Sequence, residues 1–404
     1  MARGVRLALC FLLVSVVAPA SAQALTLSAD RPDTGWIRLT VPDAGGASSV
    51  TLAEQIGDRT QPIGDEKPDA GRVVVRHAEI WRCDRYQRRF VAVAGYPDGS
   101  TQTATVSIRT PSCRKRLVFA IRKQRGRIAV RVADRWKVGD VVTRACVARP
   151  GARKSCRSLA IPAGRKAARR AYRARSTGLW RVALTTGWGQ RAARSIYVRG
   201  AGPLRLLATG DSMIQIVDSY LKNRLGKRQI GVRSDARVST GLSKPFLLNW
   251  PRLAKKQARR TRPDVTVIFI GANDGFPFGS VDCCGDAWVG AYAKRVEAMM
   301  RAYSRSGHGL VYWLTLPAPR PAQWRPIYPA VNRAVKRAAA RLDGAARVID
   351  IAKTFTPGYR FRQSMTWHGR HQTVRQEDGI HLSASGAGIA ETLIERALRK
   401  DGVL

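Results

Sequence analysis

Three short stretches of the 404-residue sequence put reactive side chains where acyl-transfer chemistry needs them: Gly210-Asp211-Ser212, Gly271-Ala272-Asn273-Asp274 and Asp378-Gly379-Ile380-His381. A serine hydroxyl is a weak nucleophile until a base takes its proton. A carboxylate three residues before a histidine can fold back on the imidazole, fix its tautomer and stabilise the imidazolium. Ser212 is therefore the candidate nucleophile, His381 the base and Asp378 its orienter. Asn273 can donate a hydrogen bond to a developing oxyanion, and the preceding Gly271 lets backbone approach closely. Each stretch alone has an ordinary reading. A serine after a strand is a common helix cap, Asn-Asp-Gly is a common turn, and an isolated Asp-x-x-His means little.

The elements around these stretches bring them to one place. After Gly200-Ala201-Gly202-Pro203 the sequence alternates between apolar strands and helices, the pattern of a parallel sheet covered on both faces. Strands are predicted at 204–208, 230–238, 265–270, 310–316 and 347–351, and helices at 214–225, 246–259, 288–304, 328–342 and 384–398. Ser212 follows the first strand and Asn273 the third, so both fall on the carboxyl edge of the sheet, where ligands bind in open α/β folds. A helix start beside Ser212 adds a partial positive charge. His381 lies between the last strand and the last helix, within reach of the same edge.

In order, Gly210-Asp211-Ser212, Gly241, Gly271-x-Asn273-Asp274 and Asp378-x-x-His381 resemble the four sequence blocks of the SGNH (GDSL-type) hydrolases. The resemblance covers about 204–404. It is specific as a set, although Met213 stands where leucine is usual. It implies an α/β, flavodoxin-like three-layer domain and a serine esterase that needs no metal and no cofactor. By position, Ser212 would attack an ester, His381 would accept its proton and Asp378 would orient His381. The oxyanion would be held by the backbone N–H groups of Ser212 and Gly241 and by the Asn273 side chain. The stretches Gly241-Leu242-Ser243-Lys244-Pro245 and Asn249-Trp250-Pro251 further resemble bacterial cell-envelope members of the family. Some relatives of those proteins act on acetylated glycans, which implies a short-chain ester, most simply acetyl, on an envelope or extracellular polysaccharide.

The remainder bears on where the chain works. Arg3 and Arg6 precede the apolar run Leu7 to Val17, and Pro19-Ala20-Ser21-Ala22 offers a cleavage site, so residues 1–22 are expected to be a removed signal peptide and the protein secreted or envelope-associated. The apolar run is shorter than a membrane span, so no transmembrane anchor is expected. Six of seven cysteines then remain. Cys83 with Cys113 and Cys146 with Cys156 are expected pairs, while the adjacent Cys283 and Cys284 could form a vicinal bridge or none.

From Leu25 to Arg199 short alternating runs are separated by Gly, Pro, Asp and Ser, the signature of one or two immunoglobulin-like or fibronectin-like β-sandwich modules, 23–113 and 114–200, ahead of the domain at 203–404. The net charge of +43 implies attraction to an anionic cell-wall polymer or envelope surface. It is densest over 114–199, where about two dozen Lys and Arg face only Asp134 and Asp140. Without a base-reading motif, nucleic acid is not an expected partner.

Secondary features have plainer explanations. His368 and His371 lie in a polar loop and are read as solvated or substrate-lining, not as metal ligands. Tyr359, Phe361 and Trp367 belong to the long segment 355–377 and could stack on a sugar, although packing on their own domain explains them as well. The run from Phe276 to Cys284 should border the pocket. Two alternatives to a hydrolase remain: an O-acyltransferase using the same triad, and a non-catalytic protein that binds anionic wall polymers through its β modules.

Overall fold

A computed structural model describes residues 24–31, 37–77, 87–109, 116–124, 126–137, 139 and 141–404. The expected signal peptide and the expected Cys83–Cys113 pair lie outside these residues. The chain divides into two compact units, 1–116 with 135–138, and 117–134 with 139–404.

In the first unit, β1 (Ser28–Asp30), β2 (Ile37–Val41) and β5 (Val73–His77) form one antiparallel sheet, while β3 (Ser49–Ile56), β4 (Arg59–Glu66), β6 (Gln87–Gly95) and β7 (Thr101–Arg109) form another in the order β4-β3-β6-β7. Alternate residues of both sheets, among them Ile37, Leu39, Val50, Leu52, Phe90 and Ala92, close one core. β4 reads RTQPIGDE, whose proline, glycine and acids break the alternation that marks a strand.

The second unit opens with another antiparallel pair of sheets. One has the order β12-β9-β8, with β8 (Leu117–Gln124), β9 (Arg127–Asp134) and β12 (Ala167–Arg173). The other has the order β11-β10-β13-β14, with β10 (Val141–Ala148), β11 (Ser155–Ile161), β13 (Gly178–Thr186) and β14 (Arg191–Val198). Ile128, Val130, Val132, Ala145, Val182 and Leu184 are fully or almost fully buried between them. Cys146 and Cys156 face each other across β10 and β11 and are disulfide-bonded. Tyr197 on β14 is buried in the core of the α/β part that follows, and Arg199 donates to the carbonyl of Val403 at 3.2 Å.

That part is built on β15 (Leu204–Gly210), β16 (Ile230–Ala236), β17 (Val265–Phe269), β18 (Leu310–Leu314) and β19 (Ala346–Ile349), all parallel, in the order β16-β15-β17-β18-β19. This is the doubly wound order 2-1-3-4-5. Every residue of β17 and β18 is buried, as expected of strands covered on both faces. The helices are α1 (Val217–Leu225), α2 (Trp250–Thr261), α3 (Asp286–Ser304), α4 (Ile327–Ala339), the short α5 (Ile351–Phe355) and α6 (Ala384–Lys400). α1 packs on α6, while α2, α3 and α4 form a second layer. Among the described residues no helix is long and apolar enough to cross a membrane.

Two boundaries correct the prediction near the site. The helix expected from Ile214 is preceded by a 3-10 turn, Ser212–Ile214, capped by the Asp211 side chain, and α1 begins only after Ile216 at φ 67°. The helix expected from Phe246 starts at Trp250, because Asn249 caps it through the Arg252 amide and Pro251 fits a first turn. Phe246, Leu247 and Leu248 are thereby left on the preceding loop.

Candidate active site

β15 ends at Gly210, where an added Cβ would lie 1.9 Å from the Phe269 carbonyl oxygen on β17. Only glycine allows that approach, and it sets Ser212 on the edge of the sheet. From the other side, the segment after α5 forms an antiparallel hairpin, β20 (Ser364–Trp367) with β21 (Arg370–Thr373), and then the turn carrying Asp378 and His381. Ser212 Oγ lies 2.7 Å from His381 Nε2, and His381 Nδ1 lies 2.5 Å from Asp378 Oδ2. Asp378 Oδ1 also accepts the amides of Ile380 (2.8 Å) and His381 (3.0 Å), so one carboxylate shapes the turn and holds the ring. Burial pushes this carboxyl up, but the bonds from the ring and the two amides outweigh it and hold the group below the ordinary carboxylate value.

The loop with Gly241 is drawn to the same edge. A Cβ on Gly241 would meet Asp274 Oδ1 at 2.5 Å, which restricts the position to glycine. Asp274 Oδ1 accepts the Ser243 amide (2.6 Å) and hydroxyl (2.8 Å), and Oδ2 accepts the Tyr292 hydroxyl (2.7 Å). Asn273 Nδ2 donates to the Thr240 carbonyl at 3.2 Å and, more weakly, to Asp211 Oδ2 at 3.4 Å. Asn273 therefore holds the Thr240-Gly241 peptide, and both of its N–H groups have acceptors, so donation to a ligand requires exchange of the longer bond to Asp211. Ser212 opens a 3-10 turn, where the first amides have no acceptor inside the turn.

Asp211 and Asp274 were legible only as parts of motifs, yet both are fully buried braces. Asp211 Oδ1 accepts the Met213 amide (2.9 Å), while Oδ2 accepts those of Gly271 (2.9 Å) and Ala272 (3.1 Å), tying the Ser212 turn to the Asn273 turn. Burial raises both carboxyls, Asp211 to about 6, against the pull of these amides. The folded protein therefore binds the Asp211 proton more tightly than the unfolded chain, where the value is 3.8. The stabilisation this gives is complete below about pH 4 and is lost as pH rises through about 6. Relative to Asp211→Asn, the wild type should lose about 2 kcal/mol of stability between pH 4 and 7. Urea melts of both proteins across that range check it, and parallel pH profiles would contradict it.

Arg375 went unrecognised because an arginine in a basic chain carries no signal. It is buried and donates to the carbonyls of Ala318 (3.1 Å), Gly379 (2.9 Å) and Ile380 (2.7 Å), fastening the Asp378–His381 turn. Burial lowers its guanidinium to about 10, so it stays charged at neutral pH. Lysine cannot reproduce a planar fork reaching three carbonyls. Arg375→Lys should lower kcat on a soluble ester by about 100-fold with little change in KM, the cost of shifting the base by an ångström or less. Steady-state kinetics beside a thermal melt separates this from unfolding, and an unchanged kcat would refute it.

The other candidates take structural places. Tyr359 donates to the Leu316 carbonyl at 3.3 Å, Phe361 lies between Arg320 and Arg375, and Trp367 packs under Arg396. His368 Nε2 meets Arg396 at 3.2 Å, and His371 is exposed on β21. Among the described residues no three His, Cys, Asp or Glu side chains gather as a metal site. Cys283 and Cys284 are bonded to each other, and the Cys284 carbonyl accepts Arg333 at 3.2 Å.

Fold and site together define a class: a doubly wound α/β domain bearing the Ser-His-Asp geometry of a serine hydrolase. Residues 205–397 match the family described as DUF459, a protein of unknown function. No curated protein matches the sequence. Similar solved structures include a candidate GDSL-like lipase from Parabacteroides merdae (11% identity, 48% of this chain and 95% of that one, TM-score 0.33). A candidate arylesterase from Agrobacterium tumefaciens is also similar (14% identity, 49% and 99%, TM-score 0.34). So is a peptidoglycan O-acetylesterase (12% identity, 70% and 76%, TM-score 0.32).

Proposed function

We propose that the α/β domain is an SGNH-type serine esterase of an exported protein, acting on short-chain O-esters, most simply acetyl, of an envelope or extracellular polysaccharide. The observation that carries this is the continuous relay from Ser212 Oγ through His381 to Asp378. Ser212 Oγ attacks the ester carbonyl as His381 Nε2 takes its proton. The tetrahedral oxyanion is met by the Ser212 and Gly241 amides and the Asn273 side chain. Collapse breaks the bond to the alcohol oxygen, which receives the proton from His381 and leaves. Water then repeats the sequence on the acyl-serine and releases the acid. Asp378 keeps its charge throughout and stabilises the imidazolium.

The polysaccharide part of the proposal rests on the resemblance of the Gly241–Pro251 stretch to envelope proteins and on the basic character of 114–199. Acetate release from a panel of acetylated envelope glycans tests it, run with and without an unacetylated acceptor glycan. Acetate appearing without acceptor is expected. Turnover that requires the acceptor would assign the site to acyl transfer, and no serine-dependent turnover would leave a binding protein.

A further inference from the structure

Helix α2 presents a surface that ester chemistry does not use. Trp250, Ala254, Gln257 and Ala258 face the core, while Arg252, Lys255, Lys256, Arg259 and Arg260 are exposed, and no acidic residue occurs in the helix. The acid that follows it, Asp264, is already engaged by Arg205 and Arg305. Directly before the helix, Phe246 is 71% and Leu247 57% exposed. Phe246 packs edge-on to Phe276 at 6.1 Å, and the Lys244 ammonium covers Phe276 at 4.7 Å. Leu247, Leu248 and Leu253 line, with the exposed cations of α2, an open groove of about 890 Å³. The apolar tip and the cationic side therefore form one continuous surface, beginning on the loop that carries Gly241.

A soluble polyanion would need only the cations and would leave Phe246 and Leu247 in water. A bilayer interface uses both: cations lie among anionic headgroups while Phe and Leu enter the acyl boundary. We propose that the 244–248 loop and α2 dock the protein on an anionic phospholipid surface, with Phe246 and Leu247 inserted. The docked geometry would hold the esterase edge close to the membrane.

Sedimentation of the full chain with vesicles tests this, comparing equal parts phosphatidylglycerol and phosphatidylcholine with phosphatidylcholine alone. The wild type should pellet with the anionic vesicles only, and part of the binding should survive raised salt, because inserted apolar side chains are not screened. Phe246→Ser combined with Leu247→Ser should weaken binding at least about tenfold and abolish the salt-resistant part. Lys255→Glu, Lys256→Glu and Arg259→Glu combined should also lose binding while hydrolysing soluble p-nitrophenyl acetate normally, which shows that the fold survives. Wild-type binding by either variant overturns the proposal by assigning membrane attraction to other cations. Three further results overturn it: no vesicle binding, retention on a polyphosphate resin that only the charge variant loses, or self-association that only the Phe246/Leu247 variant loses.

Discussion

Ser212→Ala is expected to lower kcat for p-nitrophenyl acetate by at least about 10⁴-fold, to the residue of rate that oxyanion stabilisation and binding alone support. The loss should be large because the hydroxyl is 2.7 Å from His381 Nε2 at the end of the relay, and alanine removes the oxygen that attacks. Alanine keeps the turn, since the cap bond of that turn runs from the Met213 amide to Asp211, not to the serine. The melting temperature should therefore stay close to that of the wild type. Turnover kinetics and a thermal melt on the same preparation check both statements. Turnover within tenfold of the wild type would remove Ser212 from the chemistry.

The second large effect is expected at Asp378. In Asp378→Asn the amide oxygen can still accept the Ile380 and His381 amides, so the turn should persist. The amide nitrogen would instead donate to His381 Nδ1, which moves the ring proton to Nε2 and points a donor at Ser212. The base is then in the wrong tautomer, and kcat should fall by about 10²- to 10⁴-fold. The lower end allows for solvent access, because the Asp378 side chain is 39% exposed and water can partly replace it. A rise in KM at constant kcat would contradict this and would mean that Asp378 acts on substrate binding.

Legibility in the sequence followed burial. β17 and β18 are unbroken apolar runs, and their predicted positions, 265–270 and 310–316, agree with the structure to within two residues. Buried strands of a parallel sheet must be apolar on both faces, so sequence and fold carry the same signal. β12 carries no strand signal of its own, because AARRAYR has neither β-branched residues nor apolar alternation; it is held as a strand by pairing along the whole of β9. The hairpin β20–β21 was hidden within a segment read as one long loop for the same reason: short, polar and two-stranded, it has little apolar periodicity to read. In the site, Ser212, Asp378 and His381 could be picked out as a candidate set because a nucleophile, its base and an orienter must be of particular types, and the structure brings the three side chains together. Asp211 and Asp274 act through burial and amide contacts made by distant segments, and Arg375 through carbonyls separated from it by up to 57 residues. Such roles depend on tertiary placement and leave no local pattern.

The central claim is that Ser212 is an activated nucleophile, and covalent trapping addresses it without assuming a substrate. Incubation with a fluorophosphonate, followed by intact-mass measurement and peptide mapping, should show one phosphonyl adduct per chain on Ser212. His381→Ala should slow labelling severely, because the hydroxyl then has no base. An unlabelled protein, or an adduct on another residue with Ser212 untouched, would contradict the account.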